Sequence, residues 1–243
     1  MLGPGYATVP MEYASDMGTA LSIDIYSDVV CPWCYLGKRR LEAALRERPD
    51  IAVVVRWRAF ELNPDMPPAG ADRTEYLTQK FGDPGRLQET HQRLVKLGRE
   101  AGIRYRFEAI RRVPNTRAAH TLIALSEDRQ DAVVDGLFRA YFEEGRDIGD
   151  IAVLAMIGTA AGLDQGELPA ALAPPNGAQA VAAQEREAAR LGIGGVPFFL
   201  LADRWAVSGA QEVAALVAAL DQVSAEITRE PQALGGSVDT GKS

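Results

Sequence analysis

The feature that most restricts what this chain can fold into is the sequence CPWC, in which Cys31 and Cys34, its only two cysteines, flank Pro32 and Trp33. Three chemical roles are open to such a pair: a redox-active dithiol, half of a metal site, or a structural disulfide. Each role makes a different demand on the surrounding sequence, so the flanking residues and the composition decide among them.

The residues on either side predict that the pair lies at a junction between a strand and a helix. Before it, residues 21–26 alternate the apolar Ile23 and Ile25 with polar neighbours, which is the period of a strand. After it, Pro32 suits a first helical turn, because its missing N–H would have no helical partner there. Apolar residues then recur at helical spacing until Pro49.

This junction assigns different chemistry to the two thiols. Unpaired N–H groups and the macrodipole at a helix N-terminus stabilise a thiolate. Cys31 is therefore predicted to be the exposed nucleophile of low pKa, and Cys34, one turn further on, the more buried resolving thiol. Asp28 has two interpretations, as a residue that tunes the thiol or carries its proton and as a turn or capping residue. The alternative is that both cysteines act only as small buried apolar side chains.

The supply of ligands argues against a metal site. Structural zinc takes four ligands, usually two CxxC pairs or one CxxC and a spaced pair of histidines. Beyond Cys31 and Cys34 the chain has only His91 and His120, which are far apart in sequence. No metal is therefore expected.

Composition predicts the compartment and the partners. The first twenty residues lack a basic start with an apolar run, and no segment approaches the roughly 18 apolar residues of a membrane span. We expect a cytoplasmic protein. Because glutathione and thioredoxin keep thiols reduced in the cytoplasm, a structural disulfide between the two cysteines is not expected. A net charge of −7 and a pI near 5.0 argue against general binding to nucleic acid or anionic membranes. The expected partners are proteins or small molecules that contain a thiol or a disulfide.

The rest of the chain predicts a sheet interrupted by helices. Residues 51–60 are β-branched and apolar and predict a buried second strand beside the first. From residue 73 to 191 apolar residues recur at helical spacing, most clearly in the stripe over residues 134–142. Strands at 198–201 and 205–208 and a last helix follow. The other helices expected in the helical block are 87–101, 115–126, 151–161 and 178–191.

Five ordered motifs resemble a known family. They are SDVVCPWCYLGKRRLEAAL, VRWRAFELNP, PNTRAAH, FRAYFEEGRDIGD and GIGGVPFFLLADRWAVSGAQ, and together they extend over roughly residues 21–222. In this order they resemble the DsbA-like oxidoreductases of the FrnE type. The resemblance implies a thioredoxin-like α/β fold with a large inserted α-helical domain, in which Cys31 is the nucleophile, Cys34 resolves and Pro197 is a cis-proline.

The resemblance also implies domain boundaries. Residues 20–70 and 192–225 would form the thioredoxin-like domain, and residues 71–191 the inserted helical domain. By composition, residues 1–19 and 226–243 are expected to be disordered. The Val196–Pro197 peptide is expected to be cis, because such folds bring a cis-proline against the CxxC; a trans proline that opens an edge strand is the alternative.

A cleft between the two parts is the further implication. Residues expected around the thiols are Asp28, Pro32, Trp33 and Val196, and residues expected to face substrate are Phe60, Asn115, Thr116 and His120.

Two departures from the family pattern change the expectations. Ala59 stands where the family has a proline, so one edge of the pocket is expected to differ. Ile25 stands where thioredoxin and DsbA place a buried carboxylate. Proton transfer from Cys34 is therefore expected to use Asp28, Asp24 or water.

Related proteins keep alternatives open. The same superfamily contains 2-hydroxychromene-2-carboxylate isomerases and kappa-class glutathione transferases, which carry serine at the nucleophile position and activate glutathione. Cysteine at both positions favours a disulfide oxidoreductase or isomerase. Its reduction potential is expected to be intermediate between those of thioredoxin and DsbA, because Pro32 and Trp33 offer no side-chain cation to Cys31. A glutathione-using isomerase or transferase and a non-catalytic small-molecule binding protein are the alternatives. No bound cofactor is expected, glutathione or another thiol is the expected redox partner, and the sequence leaves a homodimer open.

Overall fold

The described part of the chain, residues 6–8 and 20–234 of a computed structural model, folds around one mixed five-stranded sheet. The strands are β1 (Tyr6–Thr8), β2 (Leu21–Ser27), β3 (Val53–Ala59), the short β4 (Ala71–Asp72) and β5 (Arg112–Val113), β6 (Phe198–Leu201) and β7 (Trp205–Ser208). The helices are α1 (Pro32–Glu47), α2 (Arg73–Phe81), α3 (Pro84–Glu100), α4 (Arg117–Leu125), α5 (Gln130–Phe142), α6 (Ile151–Ala160), α7 (Leu168–Leu172), α8 (Ala178–Arg190) and α9 (Val213–Leu234). The sheet order is β1-β7-β6-β2-β3, and β4 pairs with β5 separately.

Strand β2 lies inside the sheet, parallel to β3 and antiparallel to β6. All seven of its residues are buried. Ile23 and Ile25 belong to the main apolar core with residues of α1 and α9. The buried carboxylate of Asp24 is held by Arg56 and Arg58, each at 2.7 Å, which offsets the cost of removing a charge from water. The alternation of apolar and polar residues in β2 therefore corresponds to two faces of the sheet, both of which are buried at this strand.

Strand β3 forms one edge of the sheet, so the prediction of a buried strand is wrong for most of its length: only Trp57 and Ala59 are buried. Side chains of the helical block protect this edge. Gln130 accepts a hydrogen bond from the Trp57 N–H at 2.9 Å, and Gln184 accepts one from the Ala59 N–H at 2.7 Å. An unpaired strand edge would otherwise be a template for a strand of another chain.

Helix α1 connects the sheet with the helical block. The fully buried ring of Tyr35 stacks on Phe138 of α5, with centroids 4.9 Å apart, and Phe138 meets Trp57 of β3 edge to face. The buried ammonium group of Lys38 pairs with Asp131 of α5 at 3.0 Å. The cysteine helix and the helical block therefore share one core.

This architecture confirms the predicted fold class, a thioredoxin-like α/β fold with many helices between β3 and β6. The predicted helices correspond to α3, α4, α5, α6 and α8. Helices α2 and α7 and the β4–β5 pair were not predicted. Helix α2 has no buried residue and α7 is five residues long, so neither carries a strong apolar period. The predicted domain boundaries stay predictions.

The ends of the described chain differ from the predicted disorder. Helix α9 continues to Leu234, because Val223 is buried and Ile227 packs against the core, so the prediction is wrong for residues 226–234. Residues 6–8 form β1, which pairs with β7. The rest of the two segments predicted to be disordered lies outside the described residues. Among the helices that are described, none is long and apolar enough to cross a membrane.

Candidate active site

The two cysteines lie at the start of α1, where the strand-to-helix junction was predicted. Cys31 is the N-cap residue, Pro32 begins the helix, and Cys34 lies in the first turn, where its N–H donates to the Cys31 carbonyl at 3.0 Å. The two cysteine side chains approach to 3.5 Å, close enough for a disulfide to form through local side-chain movement. Within residues 20–234 no group of three or more His, Cys, Asp or Glu side chains is placed to hold a metal ion.

Cys34 is the more deeply buried of the two thiols. It is 1% exposed, and burial, followed by the interaction with Cys31, raises the pKa of its thiol well above the usual range. The Ser27 hydroxyl and the Asp28 backbone lower this pKa in part, because hydrogen bonds to sulfur favour the thiolate. Its surroundings therefore favour the protonated form of the Cys34 thiol.

Cys31 is 5% exposed, so the prediction of an exposed nucleophile is wrong. Two segments cover it. Its Sγ donates a weak hydrogen bond to the Val196 carbonyl at 3.8 Å, and the Tyr105 hydroxyl donates to the Pro32 carbonyl at 2.5 Å. The thiol lines a cleft, through which a substrate can reach it.

The loop before β6 packs closely on the cysteine helix. The Val196–Pro197 peptide is cis, which is the isomer that was predicted. Pro197 lies against Gly37 of α1, where an added Cβ would stand 3.0 Å from the proline Cγ and 3.3 Å from Phe199 Cζ. Glycine at position 37 thus permits the close approach of the loop to the helix.

The cleft beside Cys31 has a volume of 610 Å³. Pro32, Trp33 and Val196 of the predicted site line it, and the other walls come from α2, α3, α5 and the 3₁₀ turn Phe107–Ala109. It therefore lies between the cysteine helix and the helical block, which is the position that the resemblance implied.

The buried Asp28 contacts three different segments of the chain. Its carbonyl accepts the Cys31 N–H at 3.0 Å, and one carboxylate oxygen accepts the Leu62 N–H at 2.8 Å. The other oxygen lies 3.3 Å from Nε2 of His120 in α4. Both side chains are buried. Asp24, the other carboxylate considered as a proton acceptor, is already engaged by two arginines.

Four residues predicted to face substrate do not line the cleft: Phe60, Asn115, Thr116 and His120. The Asn115 amide donates to the Met66 carbonyl at 2.7 Å, and the His120 ring lies against Asp28. Thr116 is buried at the start of α4, and Phe60 packs in a separate cluster with Tyr26. Their positions support packing and loop-fixing roles rather than substrate contact.

The sequence did not identify several residues around the cleft. Tyr105 covers the start of α1, Leu62 lines the cleft, and Arg73 and His91 line it from α2 and α3. The alternating basic and aromatic residues at 104–107 were only a weak indication that this segment contributes to a binding site. Nothing local in the sequence placed them over the CPWC turn, because that contact depends on how the helical block packs.

His91 gives the folded protein a pH-dependent stability. Its ring stacks on Phe107 with centroids 4.2 Å apart, and burial, together with the Arg73 cation, lowers its pKa from 6.5 to about 4. Unfolding restores the ordinary pKa, so the unfolded chain binds the proton more readily and stability falls as the pH falls through this window. Because the ring is only partly buried, we expect a loss of about 1–2 kcal/mol between about pH 7 and pH 4.5.

Urea unfolding of the wild type and of a His91→Phe variant at both pH values measures this loss. Phenylalanine retains the stacking but takes no proton. The difference in the free energy of unfolding between the two pH values should therefore shrink by about 1–2 kcal/mol in the variant. An unchanged difference would assign the pH dependence to other groups.

Together, a mixed sheet, a CxxC pair at a helix start and a cis-proline against that helix define a thioredoxin-fold protein. The sequence model of the DSBA-like thioredoxin domain matches residues 22–221, and the chain belongs to this family.

Similar proteins agree with this assignment. A probable DsbA oxidoreductase from Streptomyces coelicolor is 35% identical and superposes with a TM-score of 0.76, covering 85% of this chain and 91% of its own. A 2-hydroxychromene-2-carboxylate isomerase shares the fold, with a TM-score of 0.63 at 19% identity over 88% of this chain and 100% of its own. The uncharacterised protein YwbO of Bacillus subtilis is 27% identical over 152 residues, which are 62% of this chain and 70% of YwbO.

Proposed function

We propose that this protein is a thiol–disulfide oxidoreductase of the FrnE type, which works through Cys31 and Cys34. The observation that carries the proposal is the asymmetry of the pair. Cys31 opens into a cleft at the N-cap of α1, and Cys34 lies 3.5 Å away in a buried site that keeps it protonated. The 35% identity to a probable DsbA oxidoreductase supports the same class of activity.

The exchange proceeds in two steps. The Cys31 thiolate attacks one sulfur of a substrate disulfide, so that a mixed disulfide forms and the other substrate sulfur leaves as a thiolate. Cys34 then loses its proton and attacks the Cys31 sulfur. This second step forms the Cys31–Cys34 disulfide and releases the second substrate thiolate, so the protein loses two electrons and the substrate gains them. The oxidised protein runs the same steps in reverse on a dithiol.

The proton of Cys34 needs an acceptor in the second step. Two interactions that favour its thiolate come from the Ser27 hydroxyl and the Asp28 backbone. We place the acceptor at the Asp28 carboxylate or at water, because the Asp24 carboxylate is held between two arginines. A cytoplasmic location and a homodimer stay predictions from the sequence.

The redox equilibrium of the cysteine pair tests the proposal. The protein is incubated in glutathione buffers of graded potential, free thiols are alkylated, and the masses are read. We expect a reversible two-electron transition between about −270 and −120 mV, the values of thioredoxin and DsbA. Thiols that stay reduced throughout, or that form only a stable glutathione adduct at Cys31, would contradict the proposal and favour a glutathione-using or binding protein.

A further inference from the structure

The walls of the cleft beside Cys31 are mainly apolar and aromatic. Trp33, Phe107 and Phe142 line it together with leucine and valine side chains. Its volume of 610 Å³ is in the range of sites for small molecules, about 300–1,000 Å³. Such walls favour a flat apolar group, which removes aromatic surface from water on both sides of the contact.

The charged residues that line the cleft have one sign. Besides the thiol of Cys31 itself, the lining side chains that carry charge at neutral pH are Arg73, Lys80 and Arg86, because the lowered pKa leaves His91 uncharged. No aspartate or glutamate is among the described residues that line it. This contrasts with the net charge of −7 for the whole chain. The local excess of cations favours an anionic ligand.

Arg73 is the only one of these three cations that is partly buried. Burial lowers the pKa of its guanidinium group, which is partly hidden beside the Phe107 ring at 5.8 Å. Tyr141 interacts with it, but no carboxylate of the described residues forms an ion pair with it. A partly buried cation without a counter-charge is costly, and a bound carboxylate would reduce that cost.

Lys80, at the rim of the cleft, also has no carboxylate partner among the described residues. Its ammonium group donates to the Asn63 side-chain oxygen at 2.8 Å and to the Tyr76 hydroxyl at 2.6 Å, both of which are uncharged. By contrast, the exposed Arg86 has a carboxylate, that of Asp83, at 3.6 Å. Arg73 and Lys80 therefore bring positive charge to the cleft that no acidic side chain of the described residues offsets.

We infer that the cleft selects small disulfides or thiols that have a flat aromatic body and a carboxylate, and that Arg73 binds the carboxylate. This inference rests on the proposed function, because it assigns the substrate class of the same thiols. For a disulfide the exchange steps are those given above, with a substrate thiolate as each leaving group. For a thiol the oxidised protein runs them in reverse, and two molecules of the thiol together give two electrons to the Cys31–Cys34 disulfide as their own disulfide forms. Arg73 acts on the substrate, not on the sulfur chemistry.

Three disulfide probes separate the two requirements. They are 5,5′-dithiobis(2-nitrobenzoate), which is aromatic and anionic; 4,4′-dithiodipyridine, which is aromatic and uncharged at neutral pH; and 3,3′-dithiodipropionate, which is anionic without a ring. Stopped-flow mixing with the reduced protein gives the rate of thiol release for each probe. Each rate is divided by that of free cysteine, which removes the intrinsic reactivity of the probe.

We expect the highest normalised rate for the nitrobenzoate probe. Arg73→Gln should lower that rate about tenfold, the size of a lost charge-assisted hydrogen bond, and change the dithiodipyridine rate less than about twofold. The control is Arg104→Gln, which removes the same charge from a side chain that is 90% exposed and outside the cleft. It should leave all three rates within about twofold.

Three results would overturn the inference. Equal losses with the charged and the uncharged aromatic probes would show that Arg73 acts on Cys31 instead of the carboxylate, and unchanged rates would show that Arg73 contacts no substrate. A normalised dithiodipropionate rate equal to that of the nitrobenzoate probe would remove the aromatic requirement.

A binding measurement separates this inference from the proposed function. The redox-inert 2-nitrobenzoate is titrated into a protein that carries both Cys31→Ser and Cys34→Ser, and the quenching of tryptophan fluorescence reports binding, because Trp33 lines the cleft. Binding that weakens about tenfold with Arg73→Gln supports the inference even if no probe disulfide reacts with the wild type. Exchange without such binding retains the proposed function and removes the inference.

Discussion

A Cys34→Ser variant is expected to accumulate a mixed disulfide with its substrate, whereas Cys31→Ser is expected to lose disulfide exchange by about a thousandfold or more. The structure explains the difference. Cys31 lines the cleft, whereas Cys34 is 1% exposed, does not line the cleft and lies 3.5 Å from Cys31. Without Cys34, the chain has no second cysteine that could resolve the mixed disulfide.

Mass spectrometry under non-reducing conditions measures the adduct, and a small disulfide such as that of glutathione is a sufficient substrate. Serine is close to cysteine in size, so circular dichroism should show both variants folded. Adduct formation in Cys31→Ser, through Cys34, would reverse the two roles. Glutathione-dependent turnover that survives Cys31→Ser would favour the isomerase or transferase alternative.

Phe138→Ala is expected to lower the free energy of unfolding by about 3–5 kcal/mol, the usual cost of a large cavity in a core. Phe138 is fully buried in α5, stacks on Tyr35 of the cysteine helix and meets Trp57 of the edge strand. The substitution therefore removes the ring that joins the helical block to both α1 and the sheet.

Phe81→Ala is the matched control, because the same group is deleted from a side chain that is 53% exposed. Its free energy of unfolding should change by about 0.5 kcal/mol or less. Chemical denaturation of both variants gives the two values. Similar losses for the two variants would show that the aromatic cluster around Phe138 is not the main connection between the helical block and the rest.

The local features of the fold could be predicted from the sequence. Ile23 and Ile25 mark a strand, Pro32 marks the start of a helix, and the apolar stripe over residues 134–142 marks α5, because these patterns follow directly from the period of each element. The cis isomer at Pro197 could also be predicted, because thioredoxin-like folds bring a cis-proline against the CxxC pair.

Features that depend on packing between distant segments could not be predicted. Cys31 is buried because Val196 and the Tyr105 loop cover it, and β3 is an edge strand because no strand of the described residues pairs with its other side. The position of His120 shows the same limit. Its place in a motif suggested a substrate contact, whereas its ring is buried against Asp28.

Asp28 has a consequence for the shape of acceptable substrates. It is bound to the N–H of Cys31 through its carbonyl and to the N–H of Leu62 through its carboxylate, and Leu62 lines the cleft. Cys31 and part of the cleft wall are therefore anchored to the same buried residue. Under the proposed function, the space between Cys31 and Leu62 would limit the size of the substrate, so a bulky disulfide is expected to react more slowly than a slim disulfide of equal intrinsic reactivity.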